Sequence, residues 1–214
     1  MGDLLVQAIV LVEDLGTARA AMLALGFAVA DGGRHPGRGT ANLIVPFGHQ
    51  YLELLAVVDE GEARASPQGR PVVAALSEGG PGLARWSVEA SDIEATGRRL
   101  GYGVERRQRV RPDGVAVTWR SVAVDEAWAQ PWRCAYMAWD DPSTHPARRT
   151  LAHPNGATGF ADLTVNVPDR GAALAWMGGA APEDVLLLTA AVGGPSLLAV
   201  TTPSGRIVLG AGPI

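Results

Sequence analysis

A single carboxylate stands in the middle of an otherwise hydrophobic run. Residues 51–55 read YLELL, a composition typical of a strand. Because side chains alternate across a strand, Glu53 shares one face with Tyr51 and Leu55. A glutamate in that setting either faces water or belongs to a site, where it could act as a base or as a hydrogen-bond acceptor.

Other polar side chains occupy runs of the same kind. Gln7 lies in the first strand-like segment, and Arg85 and Glu89 share one face of a later segment. If these faces line one cleft, the side chains form a polar floor together with Glu53. One interpretation is substrate positioning, with Arg85 holding an anionic or carbonyl oxygen and Glu53 acting as base or acceptor. The alternative is an Arg–Glu pair that neutralises two buried charges.

One histidine and several tryptophans are further candidates. His35 lies in a Gly-rich segment, residues 32–39, where it could be a general acid or base, or could bond to its own loop. Trp119, Trp132 and Trp139 lie on strand-like runs of the second half, so one or two of them could line an apolar pocket. Core packing is the alternative for each of them.

Composition excludes several kinds of chemistry. All 18 basic residues are arginine, which excludes a Schiff-base lysine, a P-loop lysine and a catalytic Ser–Lys pair. Cys134 is the single cysteine, and its apolar setting predicts a buried, inert thiol. The net charge of −4 argues against nucleic acid as a partner, so the arginines at positions 106, 107, 109 and 111 are predicted to lie on a solvated edge strand. No apolar run approaches the roughly 18 residues of a membrane span, so no membrane partner and a cytoplasmic location are expected.

The elements that would position these residues recur along the chain. A strand, an aspartate, a helix and further strands follow one another around Asp14, and the same order returns at Asp92 and Asp169. These aspartates are 78 and 77 residues apart. The regular spacing predicts a βαβββ unit that is used three times, with a shorter helix in the third copy.

We therefore expect an α+β chain with curved mixed sheets around a cleft. Its predicted parts are a first βαβββ module at residues 1–58, a polar linker with about one helical turn at 59–81, a second module at 82–146, and a third, divergent βαβββ-like repeat at 147–214. A turn is predicted at Pro112-Asp113-Gly114. The third repeat could cover an edge of the paired modules or mediate a homodimer.

Several of these segments together resemble a known family. The run GGRHPGRGT at residues 32–40, YLEL at 51–54, and WDDP at 139–142 followed by His145-Pro146 are similar to the glyoxalase-like domain family. That family belongs to the vicinal oxygen chelate superfamily, and the resemblance covers most of residues 4–178. It implies paired βαβββ modules whose sheets curve around a cleft, often with a divalent metal at the bottom.

The resemblance also indicates where such a metal would bind. Metal-containing relatives take ligands from the first and last strands of each module, which correspond here to Gln7, Glu53, Arg85 and Ala138. At most Gln7 and Glu53 are plausible ligands, and an arginine in the third place would repel a cation. A divalent metal is therefore disfavoured, and no metal ligand is assigned. Relatives often carry Thr-His-Asn where this chain has Thr40-Ala41-Asn42, which makes Asn42 a candidate for substrate binding.

The expected function is binding of a small organic molecule in the cleft. One hypothesis is a lyase- or isomerase-type enzyme that acts on a carbonyl or hydroxy compound, with Glu53 as base and His35 as a second catalytic candidate. A second is a metal-free binding or sequestration protein of the bleomycin-resistance type. A third is a cleft that serves as a protein interface. The candidate substrate-binding residues are Gln7, Asn42, Arg85, Glu89, Trp119 and Trp139.

Overall fold

The computed structural model describes residues 2–111 and 113–210, so the part of the predicted turn at Pro112 lies outside the described residues. The strands are β1 (Leu4–Leu11), β2 (Ala30–His35), β3 (Thr40–Pro46), β4 (Tyr51–Val57), β5 (Gly82–Glu89), β6 (Glu105–Val110), β7 (Ala116–Val122), β8 (Ala135–Trp139), β9 (Gly159–Val167), β10 (Val185–Thr189), β11 (Gly194–Thr202) and β12 (Gly205–Gly210). The helices are α1 (Leu15–Ala24), α2 (Glu60–Ala65), α3 (Arg70–Gly79), α4 (Ile93–Leu100), α5 (Val124–Ala129) and α6 (Arg170–Trp176).

Two βαβββ modules form one eight-stranded, curved sheet in the order β2-β3-β4-β1-β5-β8-β7-β6. In each module the first strand pairs in parallel with the last strand, which leaves the first strands of the two modules side by side. These two strands, β1 and β5, pair antiparallel and join the modules. The predicted α+β fold with paired βαβββ modules around a cleft is confirmed.

A side-chain cap begins the helix of each repeat. Asp14, Asp92 and Asp169 each accept a hydrogen bond from a backbone N–H three residues later, over 2.7 to 2.9 Å. Such a cap satisfies one of the free N–H groups of the first turn and fixes where the helix starts. The repeated aspartates of the sequence therefore mark the same structural position in all three units.

The third repeat is a complete βαβββ unit with its own four-stranded sheet, in the order β10-β9-β11-β12. One face of this sheet is buried in the main core, where Leu163 and Leu198 pack in the same cluster as Trp86. The opposite face carries Leu186 and Leu188, which are exposed. The third unit thus covers the outside of the paired modules and does not form a wall of their cleft.

The predicted linker, residues 59–81, contains two helices, α2 and α3, instead of a single helical turn. Asp59 caps α2 by accepting from the N–H of Glu62 at 2.9 Å, and a proline lies in the first turn of α3. Val72 and Val73 are buried on one side of α3. The segment is polar because only that narrow side is buried, and its composition therefore resembles that of a loop.

Two other elements differ from the prediction. The Gly-rich segment predicted as a turn begins as strand β2, which pairs with β3 through Gly33 and Asn42. Helix α5 follows β7 within a segment that was expected to be strand and loop, and it buries Ala127. A six-residue helix shows no more than two turns of periodicity, which is too short for recognition from sequence. None of the helices in the described ranges is long and apolar enough to cross a membrane.

Candidate functional site

A cavity of about 450 Å³ lies between the two modules. Seven of the eight predicted site residues line it, and these are Gln7, His35, Asn42, Glu53, Arg85, Trp119 and Trp139. Glu89 is not among its lining residues: this side chain lies further along β5, where Arg148 and His49 are its charged neighbours. The cleft face of β5 therefore contributes Arg85 to the cavity but not Glu89.

Glu53 lies at the centre of a hydrogen-bond network on the cavity floor. One carboxylate oxygen accepts from Nδ2 of Asn42 at 2.6 Å, and the other accepts from Nε2 of Gln7. The carbonyl oxygen of Gln7 in turn accepts from the hydroxyl of Ser87 at 2.8 Å, so the network crosses from β4 through β1 to β5. Because both amides donate to it, Glu53 is an anchored acceptor on the floor and forms no ion pair with Arg85 closer than 4 Å.

Asn42 is held in the orientation that this network requires. Its side-chain carbonyl accepts from Nη1 of Arg109 at 3.1 Å, which leaves the amide nitrogen facing Glu53. Arg109 also donates to the backbone carbonyl of Gly32 at 3.1 Å. A Cβ at Gly32 would lie 1.8 Å from the Asn42 carbonyl oxygen, so only glycine permits this close approach.

Arg85 is the least satisfied group of the site. Arg85 is 5% exposed, and its Nε is buried without a hydrogen-bond partner among residues 2–111 and 113–210. Its guanidinium lies 5.1 Å from the ring centroid of Trp128, a cation–π arrangement that leaves the N–H donors of its edge unused. Burial lowers the pKa of Arg85 to about 10, although the charge of Glu53 opposes this effect. The predicted Arg–Glu salt bridge is therefore not formed as a direct contact.

His35 lines the cavity from the end of β2. Its Nδ1 lies 2.9 Å from the hydroxyl of Thr40, and burial lowers its pKa to about 4, with Arg109 and Arg38 contributing in the same direction. The imidazole is therefore neutral at pH 7. The loop that carries it is held by Glu62 of α2, which accepts from the N–H of Gly39 at 3.1 Å. The segment predicted to be a linker thus positions one side of the cavity.

Apolar side chains flank the polar floor on two sides. On one side Ile9, Leu55 and Val72 form a small cluster on which Trp128 packs. On the other side Tyr51 and Trp139 belong to a second cluster with Ile44, Val117 and Met137. The cavity can therefore enclose a ligand that has both an apolar body and a polar group.

His145 and two of the tryptophans, Trp86 and Trp132, lie outside the cavity wall. His145 is buried, with its ring centroid 3.9 Å from that of Trp139, and it caps a 3₁₀ helix by accepting from the N–H of Ala147. Trp132 packs against Gly193 and the main core, which is the alternative given for each of the three tryptophans. Trp86 is fully buried, and so is Cys134, as predicted for this thiol.

Sequence reasoning missed several lining residues. Arg107 and Arg109 were assigned to a solvated edge strand, yet both are half-buried and line the cavity, together with Gln108 and Val110 of β6. Alternation along the run of residues 105–110 was the signal that could have separated them from Arg106. Arg38 and Trp128 lie on a loop and on a short helix, where no periodic pattern indicates direction.

The residues at the metal positions of the superfamily do not fit a divalent cation. Both oxygens of Glu53 accept from amide N–H groups, and the carbonyl of Gln7 accepts from Ser87. Arg85 has donors only and places a buried positive charge beside them. The fourth position shifts by one residue, since Ala138 packs toward the main core and Met137 lines the cavity. Within residues 2–111 and 113–210, no three His, Cys, Asp or Glu side chains are grouped as a metal site.

Comparison with known proteins agrees with this fold. Residues 8–180 match the glyoxalase-like domain, and the chain belongs to that family. A hypothetical protein from Staphylococcus aureus is similar in structure, with a TM-score of 0.63, 14% identity, and coverage of 96% of this chain and 84% of that chain. Methylmalonyl-CoA epimerase from Mycobacterium tuberculosis is similar with a TM-score of 0.43, 20% identity, and coverage of 63% and 85%. No curated protein sequence matches the chain.

We expect stability to fall in mild acid because two histidines are held neutral. Burial lowers the pKa of His35 and of His145 from 6.5 to about 4. Unfolding therefore takes up protons between these values, so the stabilisation is complete above pH 6.5 and is lost as the pH falls toward 4. Urea unfolding as a function of pH measures this slope. His145→Gln should reduce the slope, whereas His49→Gln, at an exposed position, should leave it unchanged; equal slopes in all three proteins would contradict the assignment.

Proposed function

We propose that the protein binds a small organic molecule with an acidic group in the cleft between its modules, without a metal. In this account Arg85 holds the acidic group, and the two apolar clusters enclose the rest of the ligand. The polar floor of Gln7, Asn42 and Glu53 supplies a fixed set of hydrogen-bonding groups beside it. Trp119 and Trp139 contribute to the apolar wall.

The observation that supports this proposal best is the state of Arg85. The Nε of Arg85 is buried, and in the described part of the chain the guanidinium forms no ion pair or hydrogen bond. This is costly because burial removes hydration that the contact with Trp128 replaces only in part. A carboxylate accepts two parallel N–H bonds from the edge of a guanidinium, which is the geometry that Arg85 offers while Trp128 covers its face. An acidic ligand would therefore complete the site.

The second candidate function is an isomerase- or lyase-type reaction that begins with proton transfer. Glu53 supports it, because its carboxylate lines the same cavity as Arg85 and would lie beside a bound acid. A guanidinium that holds the acidic group favours the negative charge that develops when the neighbouring carbon loses a proton. Glu53 is the proposed base and, once protonated, the acid that returns the proton. Neutral His35 is the proposed hydrogen-bonding partner of the anion that forms.

Ligand-induced stabilisation tests binding directly. Benzoate and hexanoate at millimolar concentration should raise the melting temperature of the wild-type protein, because a ligand that binds only the folded state stabilises it. Arg85→Gln should abolish this increase. Arg98→Gln makes the same change on the exposed side of α4 and should respond like the wild type. An equal response of the Arg85→Gln protein would refute the role of Arg85.

Hydrogen exchange with solvent separates an enzyme from a binding protein without knowledge of the product. For organic acids that bind, the proton-transfer hypothesis predicts that deuterium from D₂O is incorporated at the carbon next to the acidic group. NMR measures this incorporation. Glu53→Gln keeps the shape of the side chain and one of its two amide contacts. It should still bind these acids through Arg85 but should lose at least about 99% of the exchange, the size of a general-base contribution. If the wild-type protein binds these acids but catalyses no exchange, the proton-transfer hypothesis is contradicted and only the binding function remains.

A further inference from the structure

The cavity holds more positive charge than Arg85 alone. Its lining includes three more arginines, Arg38, Arg107 and Arg109, and its lining acids are Glu53 and Asp125. Glu53 is bonded to two amides, and Asp125 is exposed on α5. The acids that line the cavity therefore leave the arginines without direct ion pairs inside it.

The three additional arginines come from two elements that meet over the cavity. Arg38 lies between Gly37 and Gly39 in the loop from β2 to β3, and its guanidinium forms no hydrogen bond or ion pair with the described residues. Arg107 extends from β6, where its Nε donates to the hydroxyl of Ser121 at 2.8 Å. The closeness of these cations has a physical consequence: burial lowers the pKa of Arg38, and the charges of Arg107 and Arg109 lower it further.

The three arginines differ in how many of their N–H donors are already used in hydrogen bonds. Arg109 is occupied with Gly32 and Asn42 and acts as a positioning residue for the floor. Arg107 uses Nε and one terminal nitrogen, the latter on Glu105, whose side chain is 61% exposed and in contact with water. Among the described residues, Arg38 and the remaining terminal nitrogen of Arg107 have no partner, and Arg109 donates through Nη1 alone. Arg38 and Arg107 are therefore the arginines that can bind a ligand without disturbing the floor.

We propose that the ligand is an organic diacid, with one acidic group on Arg85 and a second carboxylate or phosphate group on Arg38 and Arg107. This inference rests on the proposed function, because it adds a second contact to the same ligand. A monoacid would satisfy Arg85 and would leave like charges crowded at Arg38, whereas a second acidic group would neutralise them through charge-assisted hydrogen bonds. The apolar clusters on the two sides of the polar floor would enclose the body of the diacid.

Calorimetric titration at constant ionic strength tests this with matched ligands. Adipate and terephthalate should bind about tenfold more tightly than hexanoate and benzoate, since a charge-assisted contact contributes roughly that factor. Carboxyphenylphosphonate distinguishes a phosphate-like second group from a carboxylate. Arg38→Gln and Arg107→Gln should each remove most of the preference for the diacid while changing monoacid affinity by less than about threefold.

Arg106→Gln is the matched control, because it removes the same charge from the neighbouring position of β6, which does not line the cavity. It should keep the preference for the diacid. Equal affinity for monoacids and diacids, a preference that survives Arg38→Gln and Arg107→Gln together, or an equal loss in Arg106→Gln would overturn the inference. If monoacids still bind through Arg85, the proposed function stands and only the second contact falls. If no acid binds to the wild type, both fall.

Discussion

The antiparallel pairing of β1 with β5 is the interaction on which the site depends. It joins the two modules, and its register sets Gln7 opposite Ser87 and Ile9 opposite Arg85. The hydrogen bond from Ser87 to Gln7 crosses this junction and continues through Gln7 to Glu53. Because the side chains of a strand alternate, a shift by one residue would turn Gln7 and Arg85 into the apolar core. The core itself therefore fixes the register of the site.

The site is a polar group of side chains surrounded by apolar residues. These polar side chains differ in how many hydrogen-bond and ion-pair partners they have. The amides of Gln7 and Asn42 have partners on both sides, so their orientations are determined by the network. Within the described residues, Arg85 and Arg38 have none of the ion pairs that normally accompany partly or fully buried arginines. Such an imbalance is expected where a protein sacrifices some stability for the binding of a ligand. Arg85 is also the physical reason that this site does not suit a divalent metal.

Much of the fold was predictable because its signals are local and periodic. The aspartates at 14, 92 and 169 mark three helix starts, and the alternating apolar residues mark the strands that follow. The seven predicted residues that line the cavity lie on regular strands or at their ends, where alternation gives direction. Glu89 shows the limit of that argument, since a residue on the correct face can still lie beyond the end of a cavity.

The remaining residues were not predictable for equally physical reasons. Arg38 lies on a loop and Trp128 on a six-residue helix. Neither segment has a periodic sequence pattern that would predict which way its side chains point. Arg107 and Arg109 were assigned to solvent because a run of arginines is usually solvated, and only the position of β6 at the edge of a curved sheet turns them inward. The helices of residues 59–81 depend on contacts with the modules rather than on their own composition.

The central claim is that Arg85 is maintained for a ligand at a cost to the free protein. The most direct test is urea unfolding of Arg85→Met with and without adipate. Methionine fills the same space beside Trp128 without a buried charge, so the ligand-free variant should be more stable than the wild type by about 1–3 kcal/mol, and adipate should no longer stabilise it. A variant that is less stable than the wild type and still stabilised by adipate would contradict the account.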